Sequence, residues 1–349
     1  MAVAEAAPAR LGLRPARLRP SLLGIAVAVF VAAMLAGVLV GPVRLSPADV
    51  VRELLDRLPF VRVPSRLTDG EAAILWQLRI PRVVLGGLVG AMLATAGAAY
   101  QGAFRNPLAD PYLLGVAAGA GLGVTVAIVY LPRDTLPVAA FAGGLVGVGG
   151  TYVLGRSAAR SRRTVSLILA GVAVASFLTA AQTYFQQRNA DTVQEVYVFI
   201  LGTLATVGWR EVLLVLPYVA ISGVGLLLHR RLLDVMSLGD EEADSLGINA
   251  SRVRLIVVLA ATMGTAAAVA VSGLIAFVGI IVPHTIRLIW GTSYRMILPL
   301  SIAFGATFLV GADLIARTLL APAEIPIGVI TAFFGAPFFL IVLRNARSA

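Results

Sequence analysis

The sequence predicts an all-α polytopic membrane protein with ten transmembrane helices and cytoplasmic N- and C-termini. Composition is the first observation behind this: of 349 residues, 59% are hydrophobic and only 13% charged, whereas a soluble domain carries about a quarter charged. Recurrence is the second, because apolar runs long enough for a bilayer core, roughly 17–25 residues each, return along the whole chain. The third is that the 28 basic residues, all of them Arg, gather at the ends of those runs, where the positive-inside bias operates.

The first run is Ser21 to Val40, preceded by Arg10, Arg14, Arg17 and Arg19. That outline resembles a secretory signal, but a run of about twenty residues exceeds the roughly 7–15 of a signal core and no A-x-A site follows. It is expected to remain as an uncleaved first span. Residues 41–77 form the longest polar stretch and the expected first external loop. Within it, Ser46 to Leu58 begins at a Ser cap and is expected to place Val50, Val51, Leu54 and Leu55 on one face, as a surface helix on the outer leaflet.

Spans two to four are expected at Val83 to Tyr100, Leu113 to Tyr130 and Val138 to Leu154. They are rich in small residues, such as Gly86, Gly87, Gly90 and Gly97 in the second and Gly143, Gly144, Gly147, Gly149 and Gly150 in the fourth. Small residues let helices approach closely where lipid supplies no hydrophobic force between them. A wide translocation path lined by small residues has the same composition. Asn106, Pro107, Asp110 and Pro111 interrupt the chain after span two.

Spans five to ten follow at Val165 to Phe185, Val212 to Leu228, Leu255 to Val271, Leu274 to Trp290, Ile297 to Ala316 and Ile327 to Leu343. Pro283 falls inside the eighth. Broken backbone at membrane depth is tolerated only where protein or a water-filled cavity satisfies it. No Ser-rich or Pro-rich linker divides the chain. The expected organisation is a cytoplasmic tail over residues 1–20, one transmembrane domain over 21–343 and a second cytoplasmic tail over 344–349.

The net charge of +10 is read as topology and not as a nucleic-acid surface, since the arginines do not interleave with stacking aromatics. Arg156, Arg160, Arg162 and Arg163 between spans four and five share the cytoplasmic side with the N-terminal group. The same alternation places His229, Arg230, Arg231, Arg252, Arg254, Arg344 and Arg347 there, consistent with an even number of crossings.

Several chemistries are excluded. The chain has no Cys, hence no disulfide or thiolate metal site. It has no Lys, so it cannot contain the G-x-x-x-x-G-K-[ST] phosphate loop, and any ATP must be bound by another subunit. His284, without Cys or a second nearby His or carboxylate, is a poor metal site. Nothing resembles a nucleophile with its base, so the chain is expected to be no enzyme and to hold no cofactor of its own.

A polar island at residues 233–249 carries five acidic residues, Asp234, Asp240, Glu241, Glu242 and Asp244, between two long apolar runs. Asp240 is expected to cap a short exposed helix, Glu241 and Glu242 to occupy its first turn, and Gly247 to supply its left-handed stop. A plain solvated loop is the alternative.

From Arg79 to Gly123 the sequence reads RIPRVVLGGLVGAMLATAGAAYQGAFRNPLADPYLLGVAAGAGLG. Further on it carries LGDEEADSLGIN, SGLIAFVGIIVPHTIRL and ADLIARTLLAPAEIPIGVITAFFGAPFF. These blocks resemble the FecCD-like permeases of type II ATP-binding cassette (ABC) importers, the family of the vitamin B12, haem and ferric-siderophore permeases. The resemblance implies ten helices per subunit and a homodimer or a pair with a paralogue. It further implies two ATPase subunits that bind ATP and Mg on the cytoplasmic face. A periplasmic or lipid-anchored substrate-binding protein is implied on the other face, and the bacterial inner membrane is the implied location.

The resemblance also assigns roles. Leu238, Gly239, Glu242, Ala243, Leu246 and Gly247 match the family's coupling helices, which insert into a groove on each ATPase. Arg79, Arg82 and Arg317 match arginines that meet acidic residues of the binding protein, although any Arg at a span end can be a snorkelling anchor. Gln186, Gln187 and Arg188, at the end of span five, correspond to the external gate, where larger polar side chains replace the small hydroxyl residues of the B12 permease.

Asp110, Asp313 and Glu324 lie close to membrane depth, where ionisable groups are costly and often functional. Asp313 stands one helical turn before Arg317 and is expected to pair with it. The expected function is uptake of an iron chelate by alternating access, ferric siderophore first and haem or cobalamin next. An ion-coupled secondary transporter is the alternative, suggested by the broken spans and the intramembrane acids.

Overall fold

A computed structural model describes residues 20–57, 59, 63–155, 163–205 and 208–346, and no strand occurs among them. Their helices are α1 (Pro20–Leu39), α2 (Pro47–Asp56), α3 (Asp69–Ala73), α4 (Ile80–Phe104), α5 (Val116–Tyr130), α6 (Leu136–Gly155) and α7 (Arg163–Arg188). After them come α8 (Val193–Ile200), α9 (Trp209–Met236), α10 (Asp240–Ser245), α11 (Ala250–Ser272), α12 (Val278–Trp290), α13 (Tyr294–Thr318) and α14 (Ile327–Ala346). Arg10, Arg14, Arg17, Arg19, Arg156, Arg160, Arg162 and Arg347 lie outside the described residues, as do residues 1–19 of the expected tail.

Each of the ten apolar runs coincides with a helix, and the molecule is an all-helical, multi-pass membrane protein. Seven helical stretches are long and apolar enough to cross a bilayer, while α5, α12 and the apolar part of α14 are shorter. Helices α5 and α12 are thus shorter than the runs Leu113 to Tyr130 and Leu274 to Trp290 that predict them. At 1.5 Å per residue, the 13 residues of α12 rise only about 20 Å. The apolar run begins earlier, at Leu274, but Gly273 and Phe277 have φ of 67° and 70°, which ends helix α11 and delays α12. Asp110, Pro111 and Gly115 shorten α5 in the same way: Asp110 accepts from the Tyr112 amide at 2.9 Å and Gly115 has φ of 80°.

Helix α4 is the centre of the bundle, with 89% of its apolar window buried. A Cβ on Gly90 would strike the Gly305 backbone of α13, and one on Gly97 the Gly279 backbone of α12. These glycines bring helix backbones into contact, which is the packing use of small residues. Gln101 of α4 then bridges to α12, donating to the Gly279 carbonyl at 2.9 Å and accepting from Arg287 at 3.0 Å. Pro81 lacks an amide and crowds the carbonyl four residues earlier. The turns before it, Ile74–Arg79, are π-helical and run on continuously from α3 into α4.

Two local expectations change. Ser46 caps α2 through a 3.4 Å bond to the Asp49 amide, but the four apolar residues do not share one fate. Val50 is fully buried and Leu54 packs beside it against Leu45 and Leu75, whereas Val51 and Leu55 are exposed. Glu53 takes the inward place and accepts from the Trp76 indole at 2.9 Å. Helix α8 was not anticipated. Its apolar stretch is shorter than a span, and it turns back against α5 after the 3₁₀ turn Ala190–Thr192.

Candidate coupling and docking sites

The bundle has two chemically distinct ends. At one, α9 ends in Met236 and α10 follows as six residues, a little under two turns. The expected cap is corrected: Gly239, with φ of 149°, occupies the N-cap position, and no side chain caps the helix. Asp240 is instead the first helical residue, and its carboxylate points away to Arg254. Ala243 is fully buried beneath the helix. The helix stops as expected, at Gly247 with φ of 77°. The Ile248 amide bonds the Ala243 carbonyl at 2.9 Å and the Gly247 amide bonds that of Asp244 at 3.0 Å, a Schellman closure.

This geometry leaves Leu238 and Leu246 standing out on either side of α10, 66% and 64% exposed. Glu242 is exposed, with its carboxylate lying against Gly239. Of the six expected coupling residues, the structure thus buries Ala243 and Gly239 and exposes the other four. Sequence reasoning missed what anchors them. Arg254, only 8% exposed, donates to both Asp240 oxygens at 2.8 and 3.0 Å and to the Ala103 carbonyl of α4 at 2.8 Å. Asp234, at the end of α9, accepts from the Tyr294 amide and the Ser293 hydroxyl and so caps the start of α13. The only advance signal was Arg254 itself, read as an orientation mark.

At the other end, Arg79, Arg82, Arg317 and Glu324 line a cavity of about 200 Å³, and Asp313 pairs with Arg82 and Arg317 beside it. Their environments differ. Arg79 is 4% exposed and donates to the carbonyls of Val38 at 3.1 Å and Val43 at 2.6 Å, tying the loop after α1 to α4. Arg317 is 2% exposed, donates to the Gly37 carbonyl and stands 3.3 Å from Asp313. Neither guanidinium reaches the surface. Arg82 sits at the edge of the cluster with its side chain 12% exposed, bonded to Asp313 and Glu324, each at 2.8 Å. Asp313 therefore does meet Arg317, but its closer partner is Arg82, from a helix 231 residues away.

Gln186, Gln187 and Arg188 end α7 at this same end; Gln187 and Arg188 are exposed and Gln186 is half-buried. Arg188 donates to the Tyr184 hydroxyl at 3.0 Å and lies over that ring. The nearby ends are laced together: Arg133 pairs with Glu195 of α8 at 2.7 Å, and the Trp209 indole donates to the Trp76 carbonyl at 2.8 Å.

A model of the FecCD transport family matches residues 28–345. The chain belongs to that family. Its relatives include a permease of Bacillus subtilis (strain 168) named only as an uncharacterized ABC transporter permease, YvrB. It is 42% identical over 281 residues, covering 78% of this chain and 80% of that protein. The cobalamin import permease BtuC of Halobacterium salinarum is 40% identical over 274 residues, 78% of this chain and 73% of its own. The Fe(3+)-citrate import permease YfmD of B. subtilis is 38% identical over 279 residues, covering 80% and 83% respectively.

A solved ABC transporter, described as of metal-chelate type and inward-facing, superposes with a TM-score of 0.80 at 26% identity. The match covers 94% of this chain and all of that one. The FecCD chain is thus the permease subunit of an ABC import system, a class whose ATP hydrolysis belongs to other subunits.

Proposed function

We propose that this permease carries an iron chelate inward by alternating access, with ferric siderophore as the first substrate class and haem or cobalamin next. All ten apolar helices cross the bacterial inner membrane, both termini face the cytoplasm, and the α10 end is cytoplasmic. Two ATPase subunits, holding ATP and Mg, seat on that end of a permease pair formed with a second copy or a paralogue. The observation that carries this reading is α10 itself: a short helix on a buried Ala243, flanked by two uncovered leucines and anchored through Arg254 to the central helix. Exposed apolar side chains around a rigid knob suit insertion into a groove of a partner.

Leu238, Gly239, Glu242, Ala243, Leu246 and Gly247 make that coupling element. Arg79, Arg82 and Arg317 organise the outer face where a periplasmic or lipid-anchored binding protein docks. Arg82 presents its edge there, held by Asp313, which also pairs with the buried Arg317. Gln186, Gln187 and Arg188, with α8 beside them, form the outer gate. Of the three acids that suggested an ion-coupled transporter, Asp313 and Glu324 are taken up by Arg82, and Asp110 accepts from the Tyr112 amide.

Purification of the tagged chain from its native membrane in gentle detergent tests the class. An ATPase subunit should be recovered in equal ratio, and the complex in liposomes should take up ferric siderophore only with internal ATP. Uptake that persists without the ATPase and collapses with an ion gradient would refute the reading. Parallel uptake of haem and cobalamin ranks the substrates.

A further inference from the structure

The two carboxylates on Arg82 are not equivalent. Asp313 takes one edge of the guanidinium, accepting from Nε at 2.9 Å and Nη2 at 2.8 Å. Glu324 takes the adjacent edge, accepting from Nη1 at 2.8 Å and Nη2 at 2.9 Å. The Glu324 contact is bidentate, two parallel bonds to two oxygens, the geometry in which an arginine recognises a carboxylate best, whereas the two short bonds to Asp313 converge on one of its oxygens. Asp313 belongs to α13 and its side chain is 2% exposed, whereas the Glu324 side chain is 30% exposed and belongs to the non-helical connection from α13 to α14. Asp313 is built in. Glu324 is an internal carboxylate resting on the outward edge of the same fork.

We propose that Glu324 is a stand-in for the partner: it occupies the edge of Arg82 that an acidic side chain of the substrate-binding protein takes on docking. Docking is then an exchange of one carboxylate for another. The adjoining cavity of about 200 Å³, walled by Pro42, Val43, Leu78, Arg82 and Glu324, gives the incoming side chain room to enter before Glu324 leaves. Charge fits the exchange. The cluster holds three arginines against two carboxylates, so it keeps a net positive charge while Glu324 is in place. The swap conserves the number of ion pairs, so docking is selective for acidic partners without being strong, because each new pair costs an old one. Glu324 thereby sets how tightly the binding protein is held between transport cycles.

This inference rests on the reading of the Arg82 face as the docking face, and the experiment separates the two. The complete complex with its ATPase subunits is placed in nanodiscs, and the affinity of the substrate-binding protein is measured for wild type, Glu324→Gln, Arg82→Gln and the double variant. Glu324→Gln should tighten binding about tenfold, Arg82→Gln should weaken it, and the gain from Glu324→Gln should vanish on the Arg82→Gln background. Weakening by Arg82→Gln with no gain from Glu324→Gln overturns the exchange and leaves the docking face intact. No effect of Arg82→Gln overturns both. A Glu324→Gln complex that fails to assemble also overturns the exchange, since a carboxylate that must leave on docking cannot be one the fold requires.

Discussion

Nη2 of Arg254 donates to both carboxylate oxygens of Asp240, at 2.8 and 3.0 Å, while its Nε donates to the Ala103 carbonyl at 2.8 Å. One guanidinium thus joins α10, α11 and the end of α4, with Arg105 a further 3.6 Å from the same carboxylate. A force applied to α10 therefore reaches the central helix directly as well as through the chain on either side. Arg254→Leu should strand the Ala103 carbonyl and lower stability by about 1–3 kcal/mol. Transport per ATP hydrolysed should fall at least tenfold while hydrolysis continues. Proteoliposome assays of both rates check this, and an unchanged ratio removes Arg254 from the linkage.

The two glycines that bound α10 should respond differently to alanine. At Gly247, φ is 77° and no atom lies within 4 Å of a new Cβ, so the cost is the left-handed backbone alone, about 1–2 kcal/mol. At Gly239 the Glu242 carboxylate beside the new Cβ can swing aside, but φ of 149° with ψ of 160° is a region open essentially to Gly alone and costs more. Gly239→Ala should unseat the helix and abolish ATPase association, whereas Gly247→Ala should only weaken it. Copurification of the ATPase with each variant decides between them.

Leu246 is 64% exposed, so Leu246→Asp should change the thermal stability of the isolated permease by less than about 0.5 kcal/mol. ATPase binding should nevertheless be lost. A large drop in the melting temperature of the isolated chain would show that Leu246 supports the fold instead.

Asp313, 1% exposed, lies against two arginines. Asp313→Asn should leave buried positive charge uncompensated and cost about 3–5 kcal/mol, read as a loss of thermal stability in detergent. Glu324→Gln, at the rim of the same cluster, should cost far less.

Glu53 in the loop helix α2 is held below the ordinary carboxylate range, chiefly by the hydrogen bond from the Trp76 indole and further by Ser65 and Arg57, against the opposing effect of burial. A depressed folded pKa stabilises above the unfolded value, and the contribution is lost as pH falls through the folded one. Acid titration should therefore release Trp76, seen as a change in its fluorescence below the ordinary range of a glutamate. Glu53→Gln should remove that transition, and a transition that survives would assign it elsewhere.

Much of the fold was legible because lipid imposes one rule on the whole chain: backbone polar groups must be satisfied within a helix, so apolar run length located every long helix. The stop of α10 was legible too, since Gly247 acts through its own backbone. Tertiary partners were not. Asp240 reads as a cap by its position, yet Arg254, 14 residues on, draws its carboxylate away. Asp313 reads as the partner of its neighbour Arg317, while the better-placed Arg82 is 231 residues distant. The apolar run from Leu274 gives no hint that Phe277 will take a left-handed turn.

That same separation has a consequence for how the chain is made. Helix α4 is built to touch protein on nearly every side, yet α13, which covers its glycine face, leaves the ribosome some 231 residues later. At synthesis rates of about 5–20 residues per second, the interval is roughly 10–50 s. Throughout it, a helix with little side-chain bulk must wait in lipid with its arginine unpaired. Biogenesis, more than the finished structure, is where a chaperone or an early-arriving neighbour has the most to protect.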